Sequence, residues 1–283
     1  MERKTDNIVK EFYKQTYDED ERLTKDKTHK IEFITTTTYI DKYLKKGDKI
    51  LEVGAGTGAY SLYYARLGYE VESIELSEDN LSILRSKITP ELNIKAHQGN
   101  AIDLSRYEDN TFDITLVLGP LYHVFDKQER QSVINEAIRV TKKDGIIMYA
   151  FILTDISILD WGFKRNELIN NFGKDKMVNE NYKANNKPEY IFYMSYIDEV
   201  ISELTKETIS IEDYIATDGP SRLIADTINN MDEETYQHYI NYHLSVCNRK
   251  DLIGYSGHIL AITKKKQRRS YESNRSKRLT KDL

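Results

Sequence analysis

The chain has 283 residues, of which 39% are hydrophobic, which is enough for a sizeable core and more than one minimal domain needs. With 31% charged residues it is not a wholly disordered chain, and it has neither a membrane-spanning apolar run nor an apolar stretch at its N-terminus. The single cysteine, Cys247, cannot form an internal disulfide, so we expect a cytoplasmic protein.

The formal net charge of −5 is distributed unevenly. Residues 264–283 contain nine Lys or Arg and two Asp or Glu, a contribution of +7, so residues 1–263 carry −12. We expect the basic segment to be a disordered tail, either solvated or in contact with an anionic partner such as nucleic acid. The acidic body favours a small-molecule substrate.

Hydrophobic periodicity predicts two N-terminal helices, followed by strands that alternate with helices. The expected helices cover residues 7–20, 30–44, 59–67, 79–87, 127–140, 196–206 and 232–247. The expected strands cover residues 50–53, 71–75, 93–97, 112–118, 146–153, 208–216 and 258–263. This alternation predicts an α/β fold with a doubly wound, Rossmann-like and mostly parallel sheet of seven strands.

The same pattern divides the chain into five parts. They are an N-terminal helical cap (1–46), a cofactor-binding core (47–154), a lid-like insertion (155–195), the rest of the sheet with a second helical insertion (196–263), and the basic tail (264–283). Long additions near strand ends usually shape a binding site. We therefore expect the cap and the insertions to enclose a small acceptor and exclude water.

A glycine-rich loop, Gly54-Ala55-Gly56-Thr57-Gly58, joins the first strand to the next helix. Glycines at this place let the backbone turn tightly and approach a ligand beside a helix N-terminus. The spacing fits the dinucleotide fingerprint if Ala59 takes its third position, and Glu75 lies where a ribose-binding carboxylate is expected. On spacing alone, an NAD(P)-dependent oxidoreductase stays open.

Two details argue against a dinucleotide. Glu52 ends the first strand two residues before the loop, where a pyrophosphate would repel its carboxylate and a cofactor with an amine and a sulfonium would be attracted. The turn Gly99-Asn100-Ala101 after the third strand places a polar side chain where an adenine edge can be met.

With these motifs the chain resembles the class I S-adenosylmethionine-dependent methyltransferases, well over Lys30 to Leu153 and weakly elsewhere. The resemblance implies that S-adenosylmethionine is the cofactor and that a methyl group is transferred. It implies that Glu52 to Gly58 hold the amino-acid end of the cofactor and that Glu75 binds the ribose hydroxyls. The expected cofactor-binding residues are Glu52, Gly54, Ala55, Gly56, Gly58, Glu75, Leu76, Asn100, Ala101 and Leu118.

One position departs from the family pattern. The turn after the third strand usually reads Gly-Asp-Ala in that family, whereas this chain has Asn100 in place of the Asp. An amide oxygen still accepts a hydrogen bond from the adenine amine, so the resemblance keeps the role with a less specific match.

Tyr122 and His123 correspond to the loop beside the methyl group. His123 is the candidate base, because imidazole titrates near neutrality, and the alternative is a histidine that bonds only the loop backbone. Tyr122 either stacks on the acceptor or packs in the loop. Tyr13, Tyr17 and His29 are substrate-side candidates from an N-terminal lid, with packing as their alternative. In-line displacement from a sulfonium depends on positioning, so we expect no metal.

Three rival functions remain. The NAD(P)-dependent oxidoreductase shares the glycine loop, and a binding module would keep the fold without turnover. A nucleic-acid methyltransferase is suggested by the basic tail alone. The family's amino-methylating enzymes for nucleic acid often carry Asn/Asp-Pro-Pro-aromatic after the fourth strand, where this chain reads Leu118-Gly119-Pro120-Leu121. The acceptor and the oligomeric state are left open.

Overall fold

The computed structural model describes residues 3–15 and 19–267. Tyr17 and most of the predicted basic tail lie outside the described residues. The helices are α1 (Lys4–Gln15), α2 (Lys27–Asp41), α3 (Ala59–Arg66), α4 (Glu78–Ser86), α5 (Lys127–Val140), α6 (Thr154–Ser157), α7 (Leu168–Asn171), α8 (Ile197–Leu204), α9 (Ala225–Asn229) and α10 (Glu233–Val246). The strands are β1 (Lys49–Val53), β2 (Glu70–Glu75), β3 (Ile94–Gln98), β4 (Phe112–Val117), β5 (Thr141–Leu153), β6 (Met194–Ser195), β7 (Ile209–Ala216) and β8 (His258–Lys265).

Seven strands form one continuous sheet in the order β3-β2-β1-β4-β5-β8-β7, among the residues that the structure describes. The first five strands pair in parallel, and β8 runs antiparallel to both β5 and β7. The two-residue β6 pairs with Ile152 and Leu153 at the end of β5, beyond the last β4 pair at Tyr149. The doubly wound, mostly parallel α/β fold predicted from the sequence is confirmed, and β6 is an addition.

Successive side chains of a strand point to opposite faces of the sheet, so alternate residues of the central strands belong to two different apolar layers. On β1, Leu51 and Val53 pack on one face, in the layer that also contains residues of α5 and α8. Ile50 packs on the other face, with residues of α2, α3 and α4. Helices therefore cover both faces of the sheet, which is why its central strands are apolar throughout.

Several predicted boundaries were wrong, including both ends of the second helix, which was predicted at 30–44 and is found at Lys27–Asp41. The strand expected at 146–153 begins at Thr141, because Asp144 (φ 62°) and the irregular register near Phe112 let the chain continue through the predicted stop. The last strand runs to Lys265, two residues into the predicted tail, where it pairs with Ile209. The first helix begins at Lys4 and ends at Gln15, so it lies earlier than the predicted 7–20.

The topology brings the carboxyl ends of β1, β2, β4 and β5 to one edge of the sheet, the usual ligand-binding edge of open α/β sheets. Because β8 is antiparallel to β5, its first residue, His258, lies beside Ile152 at this same edge. The end of β7 lies there too, since Ala216 pairs with Ile259. None of the described helices combines the length and apolar character needed to span a bilayer.

The need for glycine in the loop can be tested at Gly58. Its φ is +90°, and an added Cβ would lie 2.2 Å from Leu84 Cδ1, whereas Gly68 has the same φ with open space around it. Both Gly→Ala changes suffer left-handed backbone strain, but only Gly58→Ala also overpacks the core. We expect Gly58→Ala to lower the free energy of unfolding by about 1–3 kcal/mol more than Gly68→Ala, measured by denaturant titration. Equal losses would show that the contact with Leu84 relaxes freely.

Candidate functional site

The glycine loop is fixed to the neighbouring strand. The amides of Gly54 and Ala55 both donate to the Ile74 carbonyl oxygen, at 2.8 and 3.0 Å. Gly54 has a φ of +76°, and an added Cβ would lie 2.7 Å from Pro120 Cδ. Only glycine satisfies both the backbone conformation and the close approach. The loop therefore lies directly against the segment that follows β4.

Glu75, the last residue of β2, accepts two backbone hydrogen bonds. The Gly56 amide donates to Oε2 at 2.7 Å and the Ser77 amide to Oε1 at 2.8 Å. Burial raises the pKa of Glu75, and these amides oppose that effect. Each carboxyl oxygen keeps a second lone pair, so the group can accept two further bonds from vicinal hydroxyls, as a ribose would provide.

Glu52, in β1, is 2% exposed and accepts a hydrogen bond from the Ser61 hydroxyl. Ser61 in turn lies 2.7 Å from the Ser73 hydroxyl. Burial raises the pKa of Glu52 to about 8. A cation beside this carboxyl would favour its ionised form, whereas an anion there would be repelled. The carboxyl of Glu52, which becomes negatively charged beside a cation, therefore fits a cofactor that carries an ammonium and a sulfonium.

Asn100 has both ends of its amide engaged. Its oxygen accepts the Ile102 amide at 3.2 Å, and its nitrogen donates to Asp6 Oδ2 at 3.0 Å. Two hydrogen-bond acceptors for an adenine amine therefore lie together here. They are the Asn100 amide oxygen, expected from the sequence, and the Asp6 carboxylate of α1. Sequence reasoning missed Asp6, because nothing local indicates that α1 docks on a turn 94 residues away.

These groups line one cavity, the cofactor cleft. Its walls include most of the predicted cofactor-binding residues, namely Glu52, Gly54, Ala55, Gly56, Glu75, Leu76, Asn100, Ala101 and Leu118. Gly58 is not among these wall residues, and its part in cofactor binding stays a prediction. From the N-terminal part, Tyr13, Glu19 and Arg22 also reach the cleft.

His123 and Tyr13 form a half-buried pair in the wall of the cofactor cleft. The Tyr13 hydroxyl lies 2.8 Å from His123 Nε2, and Nδ1 lies 3.1 Å from the Ile191 carbonyl oxygen. A carbonyl only accepts, so Nδ1 carries the proton and Nε2 accepts from Tyr13. Burial lowers the pKa of His123 to about 4. His123 is thus a neutral imidazole with both nitrogens engaged, and it can act as a base only after Tyr13 moves.

The other predicted acceptor-side residues have different places. Tyr122 donates its hydroxyl to the Leu118 carbonyl oxygen at 2.9 Å and lines the cofactor cleft. His29 bonds Asp26, the N-cap of α2, at 2.7 Å and is absent from the walls of the cleft. Its position is that of a helix-capping neighbour, and its place on the substrate side stays a prediction. Tyr17 lies outside the described residues.

A second cavity adjoins the cofactor cleft. The two cavities share Tyr13, Arg22 and Tyr122 in their walls. The insertion 155–195 supplies much of the lining, including Trp161, Met177 and Phe192. The lid-like insertion predicted from the sequence therefore encloses a mainly apolar space beside the cleft.

A cluster of charged side chains lies at one side of the second cavity. Arg22 donates to both oxygens of Glu32 at 2.9 Å and to Glu19 at 3.0 Å. Across the cluster, Arg222 Nε donates to Asp218 at 3.0 Å. The cluster joins the N-terminal part of the chain to the residues around β7 and β8. Sequence reasoning did not find it, because its members are separated by up to about two hundred positions.

Comparison with known proteins agrees with this geometry. Residues 51–149 match the model of the family described as "Methyltransferase domain". The glycine/sarcosine N-methyltransferase of Aphanothece halophytica is 26% identical over 145 residues, 50% of this chain and 51% of that protein. The ubiquinone biosynthesis O-methyltransferase of Hydrogenovibrio crunogenus is 31% identical over 102 residues, 36% of this chain and 41% of that protein.

The chain thus spans about half or less of the length of the curated relatives it matches. Other matches include a protein named for ribosomal RNA methylation. Among solved structures, the SAM-dependent methyltransferase of Methanosarcina mazei superposes with a TM-score of 0.53 at 20% identity. That superposition covers 81% of this chain and 97% of the other, and it shows a shared fold.

Glu52 makes stability depend on pH. Its folded-state pKa of about 8 lies above the ordinary value, so the native state holds a proton that the unfolded chain releases. The corresponding stability is fully present in acid and is lost as the pH rises through 8. We expect the free energy of unfolding of the unliganded protein, relative to that of Glu52→Gln, to fall between pH 5 and pH 8. A constant difference in denaturant titrations across this range would contradict the assignment.

Proposed function

We propose that this chain, which belongs to the class I S-adenosylmethionine-dependent methyltransferases, moves a methyl group from that cofactor to a small molecule in the second cavity. The observation that carries the proposal is the junction of the two cavities. Tyr13, Arg22 and Tyr122 belong to both walls, so a cofactor in one cavity and an acceptor in the other would meet there. Class I methyltransferases bind their cofactor at this edge of the sheet.

When bound, S-adenosylmethionine supplies a methyl group activated by its attachment to a positively charged sulfur. The chain's own groups hold it. Glu75 accepts from the ribose hydroxyls, Glu52 provides the negative charge near the ammonium, and the glycine loop permits close approach. Asn100 and Asp6 supply acceptors for the adenine amine.

A nicotinamide dinucleotide suits this cleft less well. Its pyrophosphate would lie near the glycine loop and face the buried carboxyl of Glu52. A pyrophosphate would hold Glu52 in its protonated form and gain no attraction from it, whereas a cationic cofactor is attracted to the ionised form. The family match over residues 51–149 points the same way.

The enclosure of the second cavity favours a small acceptor. Its walls come from α1, the end of β5, the insertion 155–195 and the segment before β8, so the cavity has sides of protein in several directions. Such walls exclude water and restrict the orientation of the acceptor, which is where methyl transfer gains most of its rate. The acidic body of the chain argues against a nucleic-acid groove.

Within this proposal Tyr122 and His123 shape the junction. The Tyr122 ring separates the two cavities, and His123 orients Tyr13 through the bond to Nε2. We keep His123 as a candidate base only for a state in which Tyr13 has moved. The lone, buried Cys247 suits the cytoplasmic location that we propose.

The purified protein, methyl-labelled S-adenosylmethionine and a size-fractionated cell extract test the function directly. We expect label in the low-molecular-mass fraction. Label confined to RNA, and lost when residues 268–283 are deleted, would instead establish the nucleic-acid alternative. Binding of a nicotinamide dinucleotide with no binding of S-adenosylmethionine in calorimetry would establish the oxidoreductase alternative.

Glu75→Gln removes the charge that accepts the ribose hydroxyls. Hydrogen bonds to charged groups contribute about 1.5–3 kcal/mol, so we expect affinity for S-adenosylmethionine to fall roughly 10- to 100-fold in calorimetry. Glu78→Gln, a nearby exposed residue at the start of α4, is the matched control and should bind like the wild type. Unchanged affinity of Glu75→Gln would refute the ribose assignment.

Met177→Trp fills the second cavity without touching the cofactor cleft. We expect methyl transfer to the low-molecular-mass fraction to fall by at least about tenfold, since a bulky ring occupies acceptor space, while cofactor affinity stays unchanged. Ile169→Trp, in the same insertion but 83% exposed, is the control. A parallel loss in both variants would mean that the insertion tolerates no bulk, and an unchanged rate in Met177→Trp would place the acceptor elsewhere.

A further inference from the structure

A second histidine lies at the functional edge, and sequence reasoning gave it no role. His258 is the first residue of β8 and is 8% exposed. It lines the second cavity, and its ring centroid is 6.3 Å from that of Tyr122, the residue at the junction of the cavities. Antiparallel β8 starts where the parallel strands end, which brings this imidazole to the acceptor.

Asp218, two residues after β7, holds His258 from behind. Its Oδ1 accepts the Ser256 hydroxyl at 2.8 Å and the His258 amide at 2.9 Å. Its Oδ2 accepts Arg222 Nε and His258 Nδ1, both at 3.0 Å. Burial alone would raise the pKa of Asp218, but His258 and Arg222 hold it well below its usual range. Asp218 is therefore a fixed, ionised carboxylate with four donors.

The contacts also determine the tautomer of His258. Nδ1 lies 3.0 Å from Asp218 Oδ2 and 3.3 Å from Arg222 NH2, and it cannot both donate and accept. If Nδ1 carried no proton, its lone pair would face the ionised oxygen of Asp218 at hydrogen-bond distance, and the two would repel each other. The proton therefore belongs on Nδ1, shared with Asp218, and the lone pair belongs on Nε2.

Nε2 is at the far side of the ring from Asp218, and His258 is a wall residue of the second cavity. Within the described residues no hydrogen bond engages this nitrogen, in contrast to Nε2 of His123, which Tyr13 engages. Asp218 lies close to the backbone beside His258, since a Cβ added to Gly257 would lie 2.8 Å from Asp218 Oδ2. His258 therefore has one imidazole nitrogen held by Asp218 and one that no described residue engages.

Charged groups surround this ring. The groups facing His258 are Asp218 and Arg222 from the segment after β7, Glu32 from α2 at 3.6 Å, and Tyr122. Arg22 and Glu19 complete the cluster through Glu32.

We propose that His258 is the general base of the acceptor site, positioned by Asp218, and that the acceptor is an aromatic molecule whose hydroxyl is methylated. The aromatic body follows from the walls, in which Phe12, Tyr122, Trp161 and Phe192 provide flat apolar surfaces. The inference rests on the proposed methyl transfer and adds to it the base and the class of acceptor.

The step balances without a further reactant. His258 Nε2 takes the hydroxyl proton while the oxygen forms a bond to the methyl carbon. The carbon–sulfur bond breaks and its electron pair stays on sulfur, which becomes a neutral thioether. The product is a methyl ether, and His258 then releases its proton to solvent. Asp218 keeps its charge throughout and stabilises the imidazolium.

The same side chains resemble a metal site, since one ligand atom each from Glu32, Asp218 and His258 lies within 4.8 Å of the others. The arginines decide against it. Arg22 occupies both oxygens of Glu32, and Arg222 contacts Asp218 Oδ2 and approaches His258 Nδ1. A divalent cation at this point would have to displace a guanidinium.

The probe for the proposal is 4-nitrophenol, whose phenolate absorbs visible light. With S-adenosylhomocysteine bound and at a pH below the pKa of the free phenol, we expect the wild-type protein to bind the probe and produce the phenolate band. In His258→Gln this band should be lost, and methyl transfer to the probe from S-adenosylmethionine should fall roughly 10²- to 10⁴-fold. His238→Gln, an exposed histidine of α10, should match the wild type.

A measurement on the wild type removes dependence on any variant's folding. In nitrogen-15 histidine spectra, we expect His258 to carry its proton on Nδ1 in the free protein and protons on both nitrogens when the probe is bound. A phenolate band that survives in His258→Gln, a proton on Nε2 in the free protein, or the absence of any probe binding would each overturn the proposal. Loss of the phenolate band when EDTA is added would also overturn the proposal, because it would show that a metal ion forms the phenolate.

Failure of this inference can be told apart from failure of the proposed function. If S-adenosylmethionine binds and label reaches low-molecular-mass acceptors, but the phenolate results are negative, only the base and the acceptor class are wrong. Amine acceptors labelled in place of hydroxyl acceptors would likewise overturn the class while leaving methyl transfer in place. No binding of S-adenosylmethionine would overturn the proposed function itself.

Discussion

The ion pair between Arg22 and Glu32 is the contact that joins the N-terminal part of the chain to the rest of the site. Both guanidinium-to-carboxylate distances are 2.9 Å, and the side chains of both residues are 13% exposed. Arg22 belongs to the segment that follows α1, whereas Glu32 lies on α2 and reaches His258. One pair therefore connects the part of the chain that covers the cofactor cleft to the part that forms the acceptor side.

Such a network is better understood as a device for specificity than as a source of stability. Removing two charges from water costs several kcal/mol each, and only good geometry with further hydrogen bonds recovers it. Here the recovery is nearly complete, because Arg22 also bonds Glu19 and Arg222 bonds Asp218. Apolar residues of similar volume would hold the segments together as well, but they would not fix the orientation of an imidazole.

The two histidines at the functional edge show how environment assigns chemistry to one residue type. His123 is surrounded by apolar and aromatic groups, so burial lowers its pKa to about 4 and its lone pair is bonded by Tyr13. His258 has an ionised carboxylate at Nδ1 and is a wall residue of the second cavity. From the sequence, His123 is the natural candidate, because it follows a strand in the expected place. Only the three-dimensional contacts separate the two.

What the sequence could predict follows from how local each signal is. The strands, the glycine loop, Glu52 and Glu75 lie within about 30 consecutive positions of a strand–loop–helix unit, so periodicity and spacing identify them. The cofactor-binding half of the site depends on this unit, and so nearly all of its predicted residues line the cleft. The second cavity, where we propose the acceptor binds, is assembled from α1, an irregular insertion and the antiparallel end of the sheet. Asp6 reaches the cofactor cleft and His258 reaches the second cavity through tertiary packing alone, and no period in the sequence encodes such contacts. A cofactor of constant structure can be held by a contiguous motif, whereas an acceptor that differs between enzymes is held by segments that differ too.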